Sequence, residues 1–267
     1  MPEARAFHNG RKTFMIARRS QKPLVRMLVI LVTLYILFLA AIFFGQRSLL
    51  YFPSHVAPTS ELVAWTEGGQ TIGYCREVPT PRTIWLMMHG NAGQAADRDY
   101  VLRRMSRHDS LYVLEYPGFG LRAGSPSRES MNAAAAAAYR LLRLQHPQTP
   151  VCVLGESIGS GPACALANEP TPPDKIVLVV PFDALANVAA RRLPFLPVRY
   201  LLRDAWNNVE SLSGCTTPVE IFAARHDTII PFEHAQALAN QVSAARLVEI
   251  DGSHNDWSDS NQVRLAR

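Results

Sequence analysis

The chain has 267 residues, 48% hydrophobic and 18% charged, enough to bury one core of ordinary domain size. Its formal net charge of +5 is local, because Arg5, Arg11, Lys12, Arg18, Arg19, Lys22 and Arg26 precede residue 27 against the single acid Glu3. The remainder is close to neutral and has no basic stripe with interleaved aromatics, which argues against a nucleic-acid partner.

The basic tail runs into "MLVILVTLYILFLAAIFFG", residues 27–45, which holds no charge. At 1.5 Å rise per residue this stretch spans about 28 Å of helix, close to the hydrocarbon thickness of a bilayer. A soluble core helix would show a polar face. A cleaved signal would have a shorter apolar region and a small-x-small site before a polar start. The stretch therefore reads as an uncleaved transmembrane signal anchor between a basic tail (1–26) and a globular part (46–267). The positive-inside rule expects a single-pass membrane protein with a cytoplasmic N-terminus and residues 46–267 outside the cytoplasm. Arginine in preference to lysine and alanine-rich helices suggest a bacterial source, hence the periplasmic side of an inner membrane.

After a short collar, "QRSLLYFPSH", whose Tyr51 and Phe52 suit a membrane interface, the pattern alternates. Residues 61–66 and 71–77 read as a strand pair around Gly68-Gly69. Apolar strands follow at 83–88, 111–116, 150–155, 175–181, 218–224 and 246–251. Helical spacing separates them at 94–108, 129–145, 158–168 and 232–243. Strand-helix alternation with near-continuous apolar strands implies an α/β domain whose mostly parallel sheet is covered on both faces.

In such sheets reactive residues gather beyond the carboxyl ends of the strands. Four ends carry suitable groups: His89-Gly90-Asn91-Ala92-Gly93, Glu156-Ser157, Arg225-His226-Asp227, and Gly252-Ser253-His254-Asn255-Asp256. The pentapeptide Gly155-Glu156-Ser157-Ile158-Gly159 has the G-x-S-x-G form, which chance alone can produce. Its meaning depends on the other three ends. Cys75, Cys152, Cys164 and Cys215 lack metal-ligand spacing, so no metal and no cofactor are expected. Cys152 and Cys164 read as buried thiols, whereas Cys75 and Cys215 are candidates for a pair in an oxidising compartment.

The phrases "LLYFPS", "HGNAG", "YPGFGLRAGSPS", "GESIGSG", "VVPFDAL", "RHDTIIP" and "GSHND" span residues 49–256. In this order and spacing the chain resembles the α/β-hydrolases, and among them the membrane-anchored Bem46-type and protein-depalmitoylase-like domain proteins. The resemblance implies an α/β-hydrolase fold with a minimal cap and a triad in the order Ser157, Asp227, His254. It implies an oxyanion hole from the backbone N–H groups of Asn91 and Ile158, with His89 and Gly90 supporting that loop. Asp183, after "VVPF", competes for the acid's place, and Glu156 is either scaffolding or a tuning group. Glu115 stands where the family pattern has Asp. His8, His55, His108, His146 and His234 read as solvated.

The function implied is a serine hydrolase of carboxylic esters or thioesters, acting on acyl or lipid substrates through an acyl-enzyme. A serine peptidase and a non-catalytic membrane-tethered binding module are the alternatives. Leu193, Phe195, Leu196, Leu201, Leu202 and Trp206 either line an acyl groove or pack on the core. Depalmitoylation of proteins is cytosolic work, so the outward topology favours general ester or lipid hydrolysis.

Overall fold

The apolar runs become strands and the alanine- and leucine-rich runs become helices. The computed structural model describes residues 22–57 and 60–267, so most of the basic tail lies outside the described residues. The chain opens with α1 (Lys22–Leu50), β1 (Phe52–Pro53), β2 (Val63–Glu67), β3 (Gln70–Arg76), β4 (Ile84–Met88), β5 (Ala92–Gly93) and β6 (Ser110–Leu114). It continues through α2 (Arg128–Gln145), β7 (Val151–Glu156), α3 (Ser160–Ala165) and β8 (Ile176–Val179). The last elements are α4 (Leu185–Arg192), α5 (Val198–Leu201), α6 (Asn208–Ser211), β9 (Val219–Ala224), α7 (Phe232–Gln241) and β10 (Ala245–Ile250).

Eight strands form one sheet in the order β10-β9-β8-β7-β4-β6-β3-β2. The six from β4 to β10 in this sheet run parallel, β3 adds antiparallel to β6, and β2 adds antiparallel to β3. β4, β6, β7 and β8 are buried at every residue, as strands covered on both faces must be. The edge strand β2 buries only Trp65. Successive residues of β4 serve opposite faces. Ile84, Leu86 and Met88 join the core under α2 and α3, while Trp85 and Met87 join the layer containing Val101 and Trp257.

The α2 helix shows how little side chain the first layer needs. Ser127 caps it by accepting from the Ser130 N–H, and the Ser130 hydroxyl accepts from the Ser127 N–H in return. Ala134, Ala135 and Ala138 from the alanine run are buried with Met131, Tyr139 and Leu142 on one face, so the helix can approach the sheet closely.

Two predicted helices differ from expectation. Residues Ala95–Arg104 form a 3-10 helix interrupted at Arg98, whose guanidinium is drawn back to the Ala92 carbonyl. Asp97 and Asp99 are poor helix formers and do not oppose this break. The helix after Ser157 is segmented into a 3-10 turn (Ser157–Gly159), α3 and a second 3-10 turn (Leu166–Asn168).

The chain divides into two units, Met1–Ala41 and Ile42–Arg267. In the first, the described residues are helical, mostly apolar and mostly solvent-exposed. Among the described residues α1 alone is long and apolar enough to cross a membrane. The second unit contains the sheet and the last turns of α1. All four cysteines are free. Cys75 lies on β3, five strand positions from β9, ahead of which Cys215 sits, so the candidate pairing does not form. Five steps of about 4.8 Å far exceed the reach of a disulfide.

Candidate active site

From β4 the chain moves outward to β6 and then returns past β4 to β7, after which β8, β9 and β10 extend the other edge. The carboxyl ends of β4 and β7 therefore border a topological switch point, where open sheets leave a crevice. β4 delivers His89, Gly90 and Asn91 to it, and β7 delivers Ser157.

Ser157 holds φ +53°, a left-handed conformation rare for a residue with a side chain. Such a conformation costs on the order of 1–3 kcal/mol and thrusts the hydroxyl out of the turn. The turn closes only because its flanks lack side chains. A Cβ on Gly155 would lie 2.7 Å from the Ser160 Cα, and one on Gly159 would lie 2.1 Å from the Met88 carbonyl oxygen.

Ser157, His254 and Asp227 are buried and joined in a chain of hydrogen bonds. His254 Nε2 lies 3.0 Å from Ser157 Oγ, and His254 Nδ1 lies 2.6 Å from Asp227 Oδ2. An ionised carboxylate can only accept, so Nδ1 carries the proton and Nε2 presents its lone pair to the serine hydroxyl. The second Asp227 oxygen accepts from the Ile229 and Ile230 N–H groups, each at 2.8 Å, which fixes the carboxylate plane. This arrangement can remove a proton from Ser157 and stabilise the imidazolium that results.

Asn91 and Ile158 border the same cavity as Ser157. The Asn91 side chain donates to the Leu50 carbonyl at 2.9 Å, and its own backbone carbonyl accepts from the Phe52 N–H at 2.8 Å. The loop that follows β4 is thus tied to the end of α1 and to β1. Gly90 N–H donates to Glu156 Oε2 at 3.1 Å. Glu156 Oε1 accepts from Tyr100 Oη at 2.9 Å and from Trp257 Nε1 at 2.8 Å. One carboxylate therefore joins the loop after β4, the kinked 3-10 segment and the residues following His254. Burial alone would raise the Glu156 carboxyl. The nearby Arg98 charge and the bonds from Trp257, Tyr100 and Gly90 outweigh burial and hold it below the usual carboxylate value.

His89 is fully buried, donates from Nδ1 to the Gly90 carbonyl at 2.8 Å and packs its ring 4.4 Å from Tyr116. Tyr116 Oη in turn donates to the His89 carbonyl at 2.8 Å. Glu115 accepts from the Ala95 N–H at 3.0 Å, so it anchors the start of the 3-10 segment.

Asp183 does not reach His254. It pairs with His234 Nδ1 at 2.8 Å and accepts from Asn187 Nδ2 at 2.6 Å. His234 is accordingly buried, against the expectation of a solvated histidine, because α7 turns it inward onto that acid. Asp256 accepts from the Ser253 N–H and hydroxyl, and His226 is exposed near Asp251. Among the described residues no group of three or more His, Cys, Asp or Glu could hold a metal ion.

A cavity of about 420 Å³ opens at Ser157, within the size range of small-molecule sites. Leu193, Leu196, Leu201 and Leu202 line it, as do Val188, Ile229 and Phe182. Trp206 instead packs against Gly161, where a Cβ would lie 2.5 Å from its ring, and donates to Asn132. Phe195 is exposed and is not part of the lining.

The remaining wall comes from the last turns of α1, through Ile42, Gln46, Leu49 and Leu50. A buried acid holds these turns in place. Asp204 accepts from Arg47 Nε and Nη2, from Tyr51 Oη and from the Arg128 N–H, each at 3.0 Å. Tyr51 is therefore buried, not interfacial, while Phe52 stays exposed.

Tyr100, Trp257, Arg98 and Asp204 escape sequence reasoning. The only hint was the position of Glu156 beside the serine.

No family model matches the chain. It is 32% identical over 228 residues to the Mycobacterium tuberculosis protein Rv2307c, itself uncharacterised, covering 79% of this chain and 81% of that one. It is 30% identical over 208 residues to the α/β hydrolase domain-containing protein 17C of Xenopus tropicalis, covering 73% and 64%. The lysophosphatidylserine lipase ABHD12 of Danio rerio is 28% identical over 186 residues, covering 62% and 48%. Among solved structures the Pyrococcus furiosus esterase Pf2001 superimposes with a TM-score of 0.57 at 14% identity, covering 78% of this chain and 95% of that one.

Proposed function

The chain belongs to the α/β-hydrolase superfamily, and from that premise we propose that it is a serine hydrolase of carboxylic esters or thioesters with acyl or lipid substrates. The observation that carries this reading is the chain from Asp227 through His254 to Ser157, ending on an apolar cavity. Ser157 Oγ attacks the acyl carbon as His254 Nε2 takes its proton. The carbonyl oxygen becomes an oxyanion facing the Asn91 and Ile158 N–H groups, each such donor contributing about 3–4 kcal/mol to the transition state. His254 then protonates the departing alkoxide or thiolate. Water enters and attacks the acyl carbon as His254 takes its proton, and His254 returns that proton to Ser157 Oγ as the acyl bond breaks and the acid leaves. His89 and Gly90 support the oxyanion loop without exchanging protons.

The lining favours an acyl chain over a peptide, since beyond Ser157, Asn91, Gln46 and Arg192 it is apolar. For the full chain in detergent micelles, the hydrolysis rate of p-nitrophenyl esters rises with acyl length until the cavity is filled. Leu196→Trp shifts the optimum to shorter chains. A flat profile in both proteins overturns the acyl site. We take α1 to be the membrane anchor, with the hydrolase unit outside the cytoplasm on the positive-inside rule. A phosphatase fused to the C-terminus is then active, and an inactive fusion reverses the orientation.

A further inference from the structure

Residues 185–203 carry Arg191, Arg192, Arg199 and Arg203 and no acid. The acid that follows, Asp204, is fully buried and engaged by Arg47, so it does not offset this positive charge at the surface, and Arg192 and Arg199 meet only the uncharged Ile229 carbonyl and Asn187 side chain. Arg191 meets Glu233 at 3.4 Å in an exposed pair of little strength.

Gln46 fixes where this segment lies. It is the first polar residue after the apolar stretch that ends at Gly45. Its Nε2 donates to the Leu201 carbonyl at 3.0 Å, and its Oε1 accepts from the Arg203 N–H at 2.8 Å. The Arg203 guanidinium also lies 5.5 Å over the Phe43 ring. The arginine-rich segment is thereby held where the apolar surface of the helix stops.

Large apolar side chains stand exposed around that junction: Tyr200 is 90% exposed, Phe44 76% and Leu49 64%. Apolar surface rimmed by polar groups marks an interaction site. Aromatic rings beside snorkelling arginines are what a membrane interface selects.

We propose that the rim formed by residues 191–203 and the exposed side of residues 42–49 rests on an anionic lipid bilayer. The arginines meet lipid phosphates, and Tyr200 and Phe44 enter the boundary between headgroups and acyl chains. The bilayer is the occupant because the patch is continuous with the end of a helix suited to cross it, and because its charge is of one sign. The cavity shares Leu49, Leu193 and Leu201 with this rim. A bilayer acyl chain can thus reach Ser157 without crossing water. That consequence rests on the hydrolase reading, whereas the docking itself does not.

The test uses the full chain reconstituted in vesicles of mixed phosphatidylcholine and phosphatidylglycerol, with chains brominated near the headgroup. The native Trp65, Trp85, Trp206 and Trp257 are all buried and supply the background emission. Tyr200→Trp adds emission that the brominated chains quench. The quenching weakens when Arg191→Glu and Arg199→Glu are added, and also in vesicles of phosphatidylcholine alone. If the added tryptophan emits unquenched in protein that floats with the vesicles, the rim is overturned. Quenching unchanged by the charge reversal and by lipid charge overturns the anionic assignment. Protein that does not float overturns anchor and rim together. Hydrolysis of p-nitrophenyl acetate, followed in parallel, reads the catalytic reading separately, because neither Tyr200 nor the two exchanged arginines lines the cavity.

Discussion

Replacing Ser157 or His254 with alanine lowers turnover of a p-nitrophenyl ester by roughly 10⁶-fold, and replacing both costs about the same as either alone. The two groups act as one unit. A serine hydroxyl without a base at 3.0 Å is a weak nucleophile, and the base without the hydroxyl has nothing to activate. Asp227→Asn costs about 10⁴-fold, since the amide no longer selects the tautomer with its proton on Nδ1. Asp183→Asn has no comparable effect on turnover, because that carboxylate faces His234 and Asn187. Steady-state rates at one ester concentration well above KM distinguish these outcomes. Additive losses in the double variant would mean that Ser157 and His254 work independently.

Glu156→Gln destabilises the folded protein by about 3–5 kcal/mol and slows turnover by roughly 10²-fold. The carboxylate accepts three hydrogen bonds and balances Arg98. An amide nitrogen in place of Oε2 faces the Gly90 N–H donor, one in place of Oε1 faces the Tyr100 and Trp257 donors, and in both cases the charge is lost. With the nitrogen at the Oε2 position the Gly90 N–H loses its acceptor, and Asn91 is free to move with it. The pH dependence carries a definite sign. The folded carboxyl titrates below its unfolded value of about 4.3, so its contribution is complete above that pH and disappears as pH falls through the folded value. Thermal midpoints in detergent therefore drop more steeply with acid for the wild-type chain than for Glu156→Gln. Equal slopes would remove Glu156 from the stability account.

Which parts of this were legible in the sequence follows from the range of the interactions. The interior strands announced themselves as continuous apolar runs, because strands covered on both faces need no polar alternation. Ser157, Asp227 and His254 stood at the ends of separate runs, and the structure has the same three residues hydrogen-bonded. The supports of the site were not legible. Tyr100 and Trp257 lie 56 and 101 positions from Glu156, and nothing local marks either as its donor. Arg47 and Asp204 are 157 positions apart. Tyr51 looked interfacial by composition, yet its hydroxyl is claimed by that buried acid. His234 looked solvated until α7 set it against Asp183. Residues 94–108 have helical spacing, but Ala95–Arg104 is a 3-10 helix interrupted at Arg98, whose side chain reaches back to the Ala92 carbonyl. Periodicity reports which face is apolar and is silent about a long side chain that reaches back.

The central claim is that Ser157 is a nucleophile activated by His254. Labelling the full-length protein with a fluorophosphonate probe, and mapping the modified peptide by mass spectrometry, addresses it directly. The phosphonyl group is expected on Ser157, with no labelling in Ser157→Ala and strongly reduced labelling in His254→Ala. Absence of labelling in the folded wild-type chain, or a label that persists in Ser157→Ala, would contradict it.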